Sequence, residues 1–283
     1  MEHNDALHRL QQDLQLRGYS QSTERIYMRE VRLFLSFCSK PAQELTEEDV
    51  RQYILHRQSG GLSKSTLNTY QEAIRFFFGV TLNRTMNYLQ MPRLKENKNF
   101  PVILSREEIG QLFQHCGNLK HKAMLSLAYG SGLRVSEICS LMVPDIDSKG
   151  MRVFVRNSKR NKDRYTILLQ WSLKLLRDYW RQYRPKDRKG FLFPGWRDDA
   201  PLTTDALECA MKKWLHAAAI DKAVSVHSLR HAFATHLLEG GVNIFTIKDL
   251  MGHSSISSTT IYLHLVNPGA NATSPADRLY DGC

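Results

Sequence analysis

Ser225-Val-His227-Ser-Leu-Arg230-His231-Ala-Phe233-Ala-Thr-His236-Leu237-Leu238-Glu-Gly240-Gly241 is the stretch on which the reading of this chain turns. Leu229, Phe233, Leu237 and Leu238 recur at helical spacing, and the glycine pair stops the run, so the pattern predicts a helix. Residues three apart share a helical face, which lets His227 and Arg230 point at one anion. An arginine fork matches the oxygens of a phosphate, and a lysine would not reproduce it. Downstream, Ile244-Phe-Thr-Ile-Lys-Asp-Leu-Met-Gly252-His253 predicts a short amphipathic helix that ends at Gly252 and leaves His253 at its tip. Ser254-Ser-Ile-Ser-Ser-Thr-Thr-Ile-Tyr262 predicts a further short helix, with Ser or Thr available as cap.

Two cations upstream extend the set. Arg134 follows Gly130-Ser-Gly132-Leu, where two glycines interrupt an apolar helix and a new helix starts near Ser136. Lys159 lies in a polar turn between two β-rich runs, 151–157 and 164–169, which together read as a hairpin. Bases, cations and one phenol in this order suit an attack by tyrosine on a phosphodiester. The phenol is a weak nucleophile at its ordinary pKa of roughly 10 and needs help. Fixed cations must offset the charge on phosphorus, and the leaving oxygen needs an acid. Singly, each residue has an ordinary structural reading: a capping pair, a solvated arginine, a loop lysine, a half-buried tyrosine. The presence of all six in order changes that weighing.

With these residues in view, the chain resembles the tyrosine recombinases, the integrase family that includes the Xer and integron integrases. The resemblance is carried by Gly130-Ser-Gly-Leu-Arg134-Val-Ser-Glu137, Lys159 to Arg164, His227 to His236, Leu250-Met-Gly-His253 and Thr260-Ile-Tyr262. Gly18 to Thr23 with Tyr27, and Asn68-Thr-Tyr70 with Phe76 and Phe77, are similar to the family's core-binding domain. Leu89 to Lys95 with Pro101 to Glu108, and the tail Ser274 to Leu279, look most like integron integrases, yet the chain lacks the insertion that those enzymes carry ahead of the His-x-x-Arg helix.

The resemblance implies a catalytic set of Arg134, Lys159, His227, Arg230, His253 and Tyr262. Tyr262 would be the nucleophile that leaves a 3′-phosphotyrosyl link, and Arg134 and Arg230 would hold the scissile phosphate. Lys159 would protonate the leaving 5′-oxygen, His227 would act as general acid/base, and His253 would hydrogen-bond the phosphate. Strand exchange would pass through a Holliday junction. It also implies double-stranded DNA with paired sites as partner, a homotetramer on DNA from a monomer, and room for an accessory DNA-bending protein. A terminal segment would dock on the neighbouring subunit, with Leu279 and Tyr280 as its anchors. A mobile-element transposase using the same chemistry and a catalytically silent DNA-binding protein are the alternatives.

The expected fold is mainly α with a small antiparallel sheet around Lys159. The resemblance implies that residues 1–90 form an N-terminal helical, SAM-like core-binding domain, 91–101 a linker, and 102–283 the catalytic domain with its tail, two domains that would close on a duplex as a C-shaped clamp. Thr46-Glu-Glu-Asp49 and Ser105-Arg-Glu-Glu108 read as capping boxes. A length of 283 residues with 42% hydrophobic content can supply two cores, and a net charge of +11 suits a polyanionic partner. The five scattered cysteines form no Cys-x-x-Cys pair, which predicts a reducing cytoplasm, and the resemblance implies a bacterial one, near the nucleoid. No cofactor is expected, since no Gly-x-x-x-x-Gly-Lys-Ser/Thr loop occurs. No metal is expected either, because the 227/231 histidine pair would have to give up the phosphate to bind one.

Overall fold

A computed structural model describes residues 2–86, 92–95, 100–158, 162–184, 190–196 and 200–265. It divides into two compact units, Met1–Lys98 and Asn99–Cys283. Lys159, Leu279 and Tyr280 lie outside the described residues.

The first unit is built from α1 (His3–Leu16), α2 (Gln21–Cys38), α3 (Glu47–Ser59) and α4 (Lys64–Phe76). α4 runs on into a π-helical turn, Phe77–Thr81. On α2, Ile26, Val31, Phe34 and Leu35 form an apolar stripe of which Val31, Phe34 and Leu35 are buried, as are Leu67, Tyr70, Ile74, Phe77 and Phe78 from α4 and the turn after it. Ile26, at the outer edge of the same α2 stripe, stays exposed. Glu30 is fully buried among these residues and accepts a hydrogen bond of 2.6 Å from the Tyr53 hydroxyl. Asn68 binds both the backbone N–H and the carbonyl of Leu94, so this part of the expected linker is tied to the first unit.

The second unit contains α5 (Arg106–His115), α6 (Leu119–Gly130), α7 (Val135–Ser140), α8 (Gln170–Tyr183), α9 (Thr204–Ala217), α10 (Val226–Glu239) and α11 (Ile244–Met251). Its sheet has the order β1 (Ile146–Asp147), β2 (Arg152–Ser158), β3 (Lys162–Ile167), antiparallel throughout. The β2–β3 hairpin pairs Val155 with Arg164 and shifts register between Val155 and Ser158. A large core joins α5 to α10. A separate small apolar cluster of Phe233, Ala234, Ile247, Met251 and Tyr262 joins α10 to the end of the described chain.

Most expected elements are in place, and two differ in detail. α7 starts at Val135, one residue before the expected position, with Arg134 itself at the cap. The expected helix after His253 is two 3₁₀ turns, Ile256–Ser258 and Thr260–His264. Ser255 uses its hydroxyl on the Ser257 N–H, and Thr259, Thr260 and Ile261 are β-branched, so the run disfavours continuous α-helix. Among the described residues no helix is long and apolar enough to cross a membrane. Cys38, Cys116, Cys139 and Cys209 are free thiols.

Thr46 caps α3 through a reciprocal box with Asp49, whose carboxylate also receives Lys40 at 2.7 Å. Thr46→Ala is expected to lower the stability of the first unit by about 1 kcal/mol, read by calorimetry as a melting shift of a few degrees. An unshifted transition would mean that the box contributes nothing.

Candidate active site

The site is organised on the carboxylate of Glu137, which is 8% exposed. Glu137 sits three residues into α7 and accepts the backbone N–H of Arg134 at 2.9 Å and its guanidinium at 2.7 Å. Arg164, projecting from β3, adds a two-pronged pairing at 2.9 and 2.8 Å. Arg230 lies 3.9 Å away as a third cation. Burial alone would raise the Glu137 pKa, but the hydrogen bonds and charge of Arg164, then Arg134, hold it at about 2. One helix cap, one strand and one helix face are thereby fixed to a single anion.

Arg230 is 1% exposed. Its guanidinium donates to the carbonyl of Gly132 and, at 2.6 Å, to that of Met251, the last residue of α11. Its Nε is buried without a partner among the described residues. Burial and the charge of Arg134 lower its pKa to about 9, which leaves it charged at neutral pH. Arg134 reaches the carbonyl of Gly252, so both arginines bind backbone at the end of α11.

Two glycines make this close approach possible. Gly132 has φ +63°, and a Cβ there would fall 2.4 Å from the Phe233 ring. Gly252 has φ +64°, and a Cβ there would fall 2.7 Å from the Arg164 side chain. Both positions exclude a side chain by conformation and by space.

His227, His231, His253 and Tyr262 complete the arrangement. His227 stands at the N-terminal turn of α10, and its ring meets His231 edge to face at 4.6 Å. It is open to solvent on one side, yet the protein around it and the charges of Arg230 and Arg134 lower its pKa. His253 is held by the hydroxyl of buried Thr259 at 2.9 Å. Burial, then Arg230 and Arg134, push its pKa down to about 3. Tyr262 is 1% exposed, and its hydroxyl lies 2.9 Å from Nδ1 of His231. Burial pushes the phenol up to about 12, against the pull of the two arginines.

Five of the six sequence-predicted residues therefore fall within one electrostatically coupled site. Lys159, the sixth, lies outside the described residues. Glu137, Arg164 and His231 join the site without a mark in the sequence that singles them out. Glu137 and Arg164 stood inside the quoted motifs but carried no signal of their own. His231 stood next to Arg230 and drew notice only as half of a histidine pair. Among the described residues no cluster of three His, Cys, Asp or Glu could hold a metal ion.

Glu137 also ties stability to pH. Its folded pKa lies below the ordinary value of 4.5, so its contribution is full above that value and is lost as pH falls toward about 2. A shift of this size corresponds to roughly 3 kcal/mol. Glu137→Gln is expected to flatten the dependence of stability on pH between those values, measured by urea unfolding across the range. An unchanged acid limb would contradict the carboxylate's place at the centre of the three arginines.

Comparison with known proteins identifies the family. Residues 103–267 match the model of the phage integrase family, and residues 7–88 match the N-terminal SAM-like domain of phage integrases. A Sinorhizobium fredii protein named "Putative integrase/recombinase y4qK" is 40% identical over 94% of this chain and 86% of its own. Tyrosine recombinase XerA of Pyrococcus horikoshii is 30% identical over 92% of this chain and 88% of its own. A lambda integrase (75–356) dimer bound to a COC′ core site shares the fold, with a TM-score of 0.72 at 17% identity, covering 91% of this chain and 97% of that one. The chain belongs to the phage integrase family, the tyrosine-type site-specific recombinases.

Proposed function

We propose that this recombinase cuts and rejoins double-stranded DNA with Tyr262 as the nucleophile. The observation that carries the reading is the meeting, around one buried phenol, of two arginines and three histidines from the α7 cap, α10 and the end of α11. The phenol oxygen attacks phosphorus and takes over the 3′-phosphate of the broken strand. Arg134 and Arg230 offset the charge that grows on the non-bridging oxygens, and His253 hydrogen-bonds one of them. Lys159 gives its proton to the departing 5′-oxygen, and His227 serves as acid/base close to the phosphate. The phosphotyrosyl ester keeps the energy of the broken bond, so a 5′-hydroxyl reverses the step without a nucleotide cofactor. Two such exchanges give a Holliday junction and its resolution.

The net charge of +11 supports a duplex partner, because phosphate contacts release counterions. The reading extends to residues 1–90 as core-binding domain, 91–101 as linker and 102–283 as catalytic domain. It further includes a homotetramer assembled on paired sites, with the residues after Tyr262 exchanged between neighbours. Bacterial cytoplasm, with the nucleoid as workplace, is the matching location.

The test is covalent capture of DNA on the wild-type protein and on Tyr262→Phe in cells, followed by sequencing of the attached strands. Wild type is expected to accumulate reads at one inverted-repeat site, and Tyr262→Phe is expected to give none. Equal recovery from both would remove Tyr262 as nucleophile. Arg134→Ala and Arg230→Ala are each expected to slow adduct formation on that site about 100- to 1,000-fold, the usual effect of removing one fixed donor to a developing oxyanion. Adduct formation at the wild-type rate in both variants would contradict their role.

A further inference from the structure

The Tyr262 hydroxyl bonds a histidine, and that histidine is His231, not His227. His231 lies four residues after His227 on α10, so the two rings share a face, and only the His231 ring reaches the phenol among the described hydrogen bonds. We propose that His231 takes the proton from Tyr262 as the phenol oxygen attacks phosphorus, and returns it when the phenol leaves. This rests on Tyr262 being the nucleophile.

The groups that face His231 are His227 and Arg230 on its own helix, Tyr262 from the last 3₁₀ turn, and His253 from the end of α11. Burial, then His227 and Arg230, lower its pKa to about 4, so its ring is neutral at pH 7. The phenol is held protonated at the same pH. The resting site thus holds a proton on the oxygen and an empty acceptor beside it. With Nδ1 accepting, the ring carries its own proton on Nε2.

Two changes on substrate binding favour the transfer. A phosphodiester monoanion between Arg134 and Arg230 offsets the positive charge that disfavours an imidazolium. The phenol oxygen also loses its basicity as it bonds to phosphorus. In the forward step a lone pair of Oη forms the O–P bond, and the pair of the P–O5′ bond leaves with the 5′-oxygen. The Oη proton goes to Nδ1 of His231, and a separate acid protonates the 5′-oxygen. In rejoining, the imidazolium gives the same proton back to Oη as the Oη–P bond breaks. His227, open to solvent at the helix start, remains free to face the phosphate.

The test uses the full chain and a nicked duplex carrying the site recovered by covalent capture. His231→Asn places an amide oxygen near the position of Nδ1, keeping an acceptor for the phenol but removing the base. It is expected to bind the duplex as wild type does and to form adduct at least about 100-fold more slowly. In His231→Ala, added imidazole is expected to restore adduct formation, and substituted imidazoles are expected to do so in proportion to their basicity. A duplex with a bridging sulfur at the 5′ position, whose leaving group needs no acid, is expected to rescue Lys159→Ala and neither His231 variant. Wild-type rates in His231→Asn would overturn the proposal. So would slow variants that imidazole does not rescue, which would leave His231 a packing role. Absence of adduct from wild type itself would instead overturn the nucleophile assignment, and the proposal with it.

Discussion

Three arginines around one buried carboxylate hold this catalytic unit together. Like charges packed this closely repel, and neither Arg134 nor Arg230 could be fixed without a counter-charge. Glu137 supplies it through hydrogen bonds to Arg134 and Arg164, with Arg230 at a longer distance. Removing one partner of a buried ion pair commonly costs about 3–5 kcal/mol, because the remaining charge is left uncompensated. The carboxylate therefore sets more than its own contacts. It fixes the cap of α7, aligns β3 and steadies α10, and all three arginines grip the end of α11 by donating to the backbone carbonyls of Leu250, Met251 and Gly252.

Excess positive charge is what this arrangement keeps for a ligand. One carboxylate faces three guanidinium groups, and the Nε of Arg230 is buried without a partner among the described residues. A phosphodiester would bring the missing negative charge to that place. Burial first, and then the neighbouring positive charge, keeps His253 and His231 neutral, so they can accept or share protons rather than repel the arginines. Tyr262 stays protonated because burial outweighs the cations that would ionise it.

Much of this was legible in the sequence because helices announce themselves by period and by punctuation. The α10 stripe ending at Gly240, the α11 stop at Gly252, and the capping boxes at Thr46 and Ser105 all appear where spacing placed them. Joint order exposed Arg134, His227, Arg230, His253 and Tyr262, although no single residue did. Glu137, Arg164 and His231 were not assigned roles, since their meaning lies in contacts between distant segments. Nothing in the local pattern of β3 marks Arg164 as the partner of a carboxylate 27 residues earlier. The short helix expected to lead into Tyr262 is two 3₁₀ turns, the second containing Tyr262, because a serine cap signals a start but not the kind of turn that follows.

The chain contains eleven tyrosines, so the nucleophile assignment is specific enough to be checked at the level of one side chain. The most direct measurement is peptide mapping by mass spectrometry of protein captured on DNA, after nuclease and protease digestion. A nucleotide joined through its 3′-phosphate is expected on the peptide that contains Tyr262. A nucleotide found on any other tyrosine would contradict it.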